Sequence, residues 1–172
     1  MSILAYIQKL LDESDQPATL MEASQAVPYE RLLVTLGNDN SQDDTLEITA
    51  HPQSFEGAFT KKNLPDSYHL LQFQYVLPLE VSPDTFNQTS NCLHFFNRLI
   101  HCPGYELDEL SDQVIYRYVW FIKKSGIDPF LLMQVIGNIQ LCFNMFRPYI
   151  KEIAEGKYTL EDILEKVIHL TT

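Results

Sequence analysis

Glu106 and Asp108 stand two residues apart, a spacing that puts both carboxylates on one face of a strand. A buried pair of that kind can divide acid and base work, with one carboxyl protonated and the other ionised. Here the pair precedes a polar turn at Ser111, Asp112 and Gln113, and it reads as an exposed acidic rim. Arg117 on the following strand is placed to pair with Glu106, Asp108 or Asp112 and to hold the hairpin in register. Cys102 directly follows His101. A cysteine nucleophile needs a base and an orienting group within reach, which adjacency does not supply. A place near a helix C-terminus also disfavours the thiolate. His94 and His101 read as neighbours on one helix, about 10 Å apart along its axis, too far to share one zinc ion. There is no CxxC and no HExxH. The six glycines, at 37, 57, 104, 126, 137 and 156, form no phosphate loop. No catalytic, metal-binding or cofactor-binding residue is expected, and the chain is not expected to be an enzyme.

Charge narrows the partners. Twelve basic and 23 acidic side chains leave a net charge of −11. A field of that sign repels nucleic-acid phosphates and anionic lipid. The one basic-aromatic alternation, Tyr116, Arg117 and Tyr118, is too small to make an RNA surface. Cys92, Cys102 and Cys142 are odd in number and set among apolar residues, so free thiols in a reducing compartment are expected. The N-terminal segment MSILAYIQKLLDES lacks a basic leader and a small-residue cleavage site, and no unbroken apolar run approaches about 18 residues. The expected location is cytoplasmic, with no membrane partner.

The elements that must position these residues follow from periodicity. Ile3, Leu4, Ile7, Leu10 and Leu11 predict a short amphipathic helix over residues 2–11. Two alternating runs, 31–36 and 46–50, flank a polar turn at 37–44 and predict a hairpin. Residues 51–67 read as a strand extension or an irregular excursion. Residues 68–79 alternate strongly, with Leu71, Phe73, Tyr75 and Leu77 on one face. Pro78 is expected to end that strand or put it at an edge. Ser82 and Pro83 predict the start of a helix running to Ile100. Strands over 105–110 and 114–122 follow. The second carries Tyr116, Tyr118, Trp120 and Ile122 on one face and Ile115, Arg117, Val119 and Phe121 on the other, so it is expected near the sheet centre or at a dimer contact. Ser125 or Asp128, the latter followed by Pro129, starts a long helix reaching about Phe146, with Leu132, Ile136, Ile139, Phe143 and Phe146 facing the core, Leu131, Val135, Cys142 and Met145 extending the apolar surface round the side, and Pro148 as its stop or kink. Gly137 inside it predicts close packing against another element. Thr159 and Asp162 begin a last helix to Leu170.

The expected fold is α+β, one domain over residues 1–172. It has a five-stranded, mostly antiparallel sheet with helices on one face, in the order α-β-β-β-α-β-β-α-α. The segment Leu93 to Ile122, LHFFNRLIHCPGYELDELSDQVIYRYVWFI, resembles the YbjN domain, a family that shares its fold with type III secretion chaperones. The pattern is a helix ending in Asn97, Arg98 and Leu99, then a glycine turn at Gly104 leading into Tyr105, Leu107 and Asp108. A hairpin returns through Val114, Tyr116, Arg117 and Tyr118. The resemblance implies a small, often dimeric, cytoplasmic protein that holds or regulates another protein. Residues 151–172 add a helix to the usual plan.

A surplus of large apolar side chains on both faces of the two best strands points the same way. The expected function is a protein-binding module, chaperone-like or regulatory. Its expected contact residues are Leu71, Phe73, Tyr75, Tyr116, Arg117, Tyr118 and Trp120, and a homodimer is expected through the same surplus. The competing readings are an assembly subunit with one permanent partner and a small-molecule sensor with a pocket between sheet and helices.

Overall fold

The computed structural model describes residues 2–36, 44–53, 68–123 and 126–171, with side chains described as far as Glu165. Among these residues the chain is α+β, with four helices and one antiparallel sheet of six strands. The elements are α1 (Ile3–Asp12), β1 (Ala18–Met21), β2 (Arg31–Thr35), β3 (Thr45–Gln53), β4 (Tyr68–Glu80) and α2 (Phe86–Asn97). They continue with β5 (Tyr105–Asp108), β6 (Gln113–Lys123), α3 (Pro129–Ala154) and α4 (Leu160–Thr171). The strands lie in the order β1-β2-β3-β4-β6-β5. The expectation of five strands is therefore corrected to six. The strand absent from the sequence reading is β1, only four residues long and directly after Pro17, too short to show a period. By contacts the chain divides into two compact units, Met1–Tyr75 with Tyr118–Gln134, and Val76–Arg117 with Val135–Thr172.

In the first unit, Ser2 caps α1 by accepting the Ala5 N–H at 3.2 Å. Leu4, Ile7 and Leu11, at helical spacing, are buried. Asp15, at φ 55°, turns the chain, and the Gln16 N–H closes on the Leu11 carbonyl. Gln8 then holds β1 by donating to the Ala18 carbonyl at 3.2 Å. The predicted hairpin is present, with register from Arg31↔Thr49 to Thr35↔Thr45. Leu20, Leu32, Ile48 and Phe73 meet in one row across four strands. Leu32, Ile48 and Phe73 have no exposed surface, and burying each contributes roughly 1.5–3 kcal/mol. The opposite face is polar: Arg31 pairs with Glu47 at 3.1 Å, and Gln72 donates to Gln74 at 2.9 Å. β3 extends through His51 and Pro52 to Gln53, so the sequence reading of a strand extension holds that far. The rest of that segment, and residues 37–43 of the turn, lie outside the described residues. Pro78 does not end β4. The register with β3 runs from Tyr68 to Gln74, so Pro78 lies past that ladder and takes no N–H from it.

In the second unit, α2 begins at Phe86 rather than Pro83, because residues 83–85 form a turn. Its N-cap is Thr85, not Ser82. The Thr85 hydroxyl donates to the Ala154 carbonyl at 2.8 Å and leaves the helix start without a side-chain cap. α2 ends at Asn97, so His101 lies outside the helix that was expected to carry it with His94. Cys92, Leu93 and Phe96 are buried, and Phe96 stacks on Phe146 with ring centroids 4.4 Å apart. β5 and β6 pair from Tyr105↔Tyr116 to Asp108↔Gln113.

Asp128 caps α3 as expected, accepting the N–H groups of Phe130 and Leu131. Pro148 neither stops the helix nor marks its end, since α3 runs to Ala154. Burial of Ile150, Ile153 and Ala154 offsets the lost hydrogen bond. α3 is also the one described helix long and apolar enough, by length and composition alone, to cross a membrane. The sequence search for an unbroken apolar run missed it because Gln134, Asn138, Gln140 and Asn144 interrupt the run without adding charge. The Thr159 capping box is present: Asp162 accepts the Thr159 N–H at 2.7 Å and returns its own N–H to the Thr159 hydroxyl at 3.2 Å.

Candidate protein-interaction surface

The residues expected to form an interaction row separate in the structure. Leu71, Phe73 and Tyr75 sit on the inward face of β4 and are buried. Tyr75 also donates to the Asp44 carboxylate at 3.4 Å. Tyr116 is buried, packs edge-on against Tyr105 at 5.2 Å and donates to the Cys102 carbonyl at 2.8 Å. These four are core residues and offer no surface to a partner. The alternation that drew them together was read correctly as one face, but that face points inward. Tyr118 and Trp120 are half-buried, and Tyr118 lies 6.2 Å from Phe73. Arg117 is exposed.

Arg117 and the two acidic residues of β5 are committed to structure. Arg117 Nε and Nη2 donate to the two Glu106 carboxylate oxygens at 2.9 and 3.3 Å. Glu106 faces Ile115 in the register, so this is a diagonal cross-strand pair. The Glu106 hydrogen bond and its charge raise the Arg117 pKa. Both partners are nearly half exposed, so solvent screens most of the attraction. The Asp108 carboxylate accepts the Ser111 hydroxyl at 2.6 Å and the Leu110 N–H at 3.0 Å, and those bonds lower its pKa. Each carboxylate therefore closes the hairpin, and the bonds to Asp108 favour its ionised form, the opposite of what acid work needs.

The cysteines are buried thiols. Burial pushes Cys92 up to about 12, and burial followed by the neighbouring Cys102 raises Cys142. A nucleophile or a soft-metal ligand needs the thiolate, which these surroundings oppose. His94 and His101 are exposed. Among the described residues no three His, Cys, Asp or Glu side chains are grouped to hold a metal ion.

Asn97 and Gly104, which carry the resembling pattern, form a structural clamp. Asn97 Oδ1 accepts the N–H groups of Gly104 at 3.1 Å and Tyr105 at 2.9 Å, while Nδ2 donates to the Tyr105 carbonyl at 2.7 Å. A Cβ on Gly104 would lie 2.5 Å from the Arg117 carbonyl oxygen, so only glycine fits beneath β6. The clamp ties the end of α2 to the start of β5.

Among the described residues, exposed large apolar side chains include Val76, Leu99, Leu110 and Phe121, and four more gather along α3. Phe130 is 69%, Leu131 49%, Leu141 56% and Met145 51% exposed. Phe130, Gln134, Gly137, Leu141, Met145 and Pro148 recur at intervals of three or four, on one side of the helix. No charged residue occurs from Pro129 to Phe146. Sequence reading placed Ile136, Ile139, Phe143 and Phe146 in the buried stripe, as found. It did not separate out the outward side. The available signal was an 18-residue stretch without charge, since a helix apolar all round is covered all round. Gly137 differs from a second expectation: among the described residues a Cβ there would meet nothing within 4 Å, so no described element packs closely on it.

A cavity of ≈ 440 Å³ opens in the first unit, lined by Ser2, Leu4, Glu30, Ala50, Pro52 and His69 among others. Among the described residues, the buried Nδ1 atom of His69 has no hydrogen-bond partner. No protein-family model matches this chain, and no curated protein matches it.

Proposed function

We propose that this chain is a non-enzymatic, cytoplasmic protein-binding module, chaperone-like or regulatory, and that it works through the outward side of α3. The observation that carries this reading is the row Phe130, Leu131, Leu141 and Met145, about half exposed or more on a helix with no charge from Pro129 to Phe146. Large apolar side chains gathered on one exposed side mark an interface, and phenylalanine and methionine suit the centre of one. Arg117 is exposed, and Tyr118 and Trp120 are half-buried. The remaining expected residues support the core.

The resemblance to the YbjN domain and to the chaperone-like fold enters on the same footing. It supports a holding or regulatory role, and the Asn97–Gly104 clamp gives its residues a reason in the fold. The net charge of −11 favours neutral or basic proteins over nucleic acid and anionic membrane as partners. The cavity beside His69 supports the sensor reading as a second possibility, one that a small-molecule thermal-shift screen of the native chain addresses directly.

The test is a crosslinked pulldown with the wild-type chain and with Leu141→Glu, each first shown to be folded by circular dichroism. The expected result is a set of captured proteins that the charged variant loses. Equal capture by both forms removes α3 from the reading.

A further inference from the structure

We propose that the outer edge of β5 takes an extended basic peptide, alternating cationic and apolar residues, as an added strand of the sheet. This goes beyond the α3 reading and uses a different surface, built wholly from residues of the second unit. β5 stands at the end of the strand order, so it has β6 on one side only. The Arg117 N–H donates to the Gly104 carbonyl at 2.8 Å. Bonded pairs recur at every second residue of an antiparallel ladder, so Glu106 and Asp108 turn their main-chain groups toward β6. Tyr105 and Leu107 turn theirs outward.

Asn97 already fills the first outward position. Its carboxamide accepts the Tyr105 N–H at 2.9 Å and donates to the Tyr105 carbonyl at 2.7 Å, the same two bonds that a neighbouring strand would supply. Leu107 is the next outward position. Among the described residues nothing bonds to its main chain on that side. It lines a cavity of ≈ 410 Å³ with Glu106, Asp108, Glu109, Leu110 and Ile115. Leu110 is 97% exposed, and a strand laid beside it removes apolar surface from water. An edge strand with open main-chain groups is a template for strand addition.

Charge chooses the occupant. Glu106 is paired with Arg117, but Asp108 and Glu109 have no cation beside them among the described residues. The bonds from Ser111 and Leu110 keep Asp108 ionised. In an added strand, the residues opposite Glu106 and Asp108 lie on the same face of the sheet as those carboxylates, and the residue between them lies on the face of Leu107. Lysine or arginine at the two outer positions, with an apolar residue at the centre, matches both faces. A second copy of β5 would bring the same carboxylates, so two copies repel along this edge.

The strip is short. It offers the main-chain pair of Leu107, exposed carboxylates and the cover of Leu110, well below a standard interface. Binding is therefore weak, with a Kd on the order of 100 μM. The probe is a fluorescein-labelled peptide alternating lysine and valine over about nine residues, capped at both ends and titrated with the full chain. Fluorescence anisotropy follows binding, and the amide exchange of Leu107, read by NMR, reports the place.

Saturable binding is expected, with slower exchange at Leu107. Glu109→Lys is expected to weaken it about fivefold or more, since Glu109 is exposed in the turn and its replacement leaves the fold intact. The double variant Glu22→Gln, Asp84→Asn changes the net charge by the same amount at exposed positions away from β5 and is expected to bind like wild type. A peptide with the same side chains and N-methylated main-chain amides is expected to lose about tenfold or more, because it cannot pair as a strand. Leu141→Glu is expected to bind the peptide unchanged, which keeps this surface distinct from α3. No saturation up to about 1 mM overturns the proposal. So does equal weakening by Glu109→Lys and the distant double variant, which would reduce the binding to general charge attraction. Equal affinity for the N-methylated peptide, or an unchanged Leu107 amide, overturns the added strand. Loss of the peptide in Leu141→Glu moves the site to α3 and overturns it too.

Discussion

Replacing Gly104 by alanine adds one methyl group at the tightest contact in the β5–β6 hairpin. The new Cβ would lie 2.5 Å from the Arg117 carbonyl oxygen, 2.9 Å from its carbon and 3.1 Å from Tyr116 Cε2. Two of those atoms are backbone, so no side chain can rotate out of the way. The hairpin must open by more than half an ångström at that point. Overpacking of this kind costs about 1–3 kcal/mol. The same movement stretches the hydrogen bond from the Arg117 N–H to the Gly104 carbonyl, now 2.8 Å, which adds about 1 kcal/mol. It also strains the Asn97 bonds to Gly104 and Tyr105. A total near 2–4 kcal/mol lowers the unfolding midpoint of a chain this size by roughly 5–15 °C. The control is the same substitution at Gly137, where a Cβ meets nothing within 4 Å. There alanine gains helix propensity, about 0.8–1 kcal/mol, and raises the midpoint by a few degrees. Thermal unfolding followed by circular dichroism at about 1 μM measures both. Shifts of the same sign and size, or a Gly104→Ala midpoint equal to wild type, would refute the contact on which the clamp is built.

Phe143 is buried on the inner side of α3, with the Arg147 guanidinium 4.9 Å over its ring. Truncation to alanine is expected to cost on the order of 3–5 kcal/mol, read as a lower urea midpoint at unchanged slope. Cys92 keeps its proton to a pH of about 12 in the fold, against an ordinary value of 9.0. The unfolded thiol therefore releases its proton first, and the stability this linkage contributes is full below pH 9 and is lost as pH rises from 9 to 12. Cys92→Ala is expected to flatten the fall in stability across that window in urea titrations. An identical slope in both proteins would locate the alkaline loss in other groups.

Most local structure was legible because it is set by short-range chemistry. Ser2 before Ile3, Asp128 before Pro129 and the Thr159–Asp162 box each satisfy the N–H groups of a helix start within three residues, so they can be read in one dimension. The alternation of β4 sorted Leu71, Phe73, Tyr75 and Leu77 onto one face by the same logic. β1 was hidden because a four-residue strand is made by its neighbours, through Gln8 and the pairing with β2. Pro148 stayed inside α3 for a related reason, since the apolar contacts of Ile150 and Ile153 outweigh one missing donor.

The contact surface is where the two levels part. Composition alone fixed a negatively charged chain with too many large apolar residues to leave all of them without a role. Periodicity sorted those residues into faces. It could not decide which face turned inward, because Tyr116 and Tyr75 on one side and Phe121 and Val76 on the other are equally apolar by type. The fold made that choice. Tyr75 and Tyr116 are 2% and 3% exposed, and their hydroxyls find Asp44 and the Cys102 carbonyl. Buried tyrosines are tolerated only where such acceptors exist, and those acceptors are 31 and 14 residues away along the chain. No local pattern can place them. With Tyr75 and Tyr116 taken into the core, the exposed apolar side of α3 is the surface we propose for a partner.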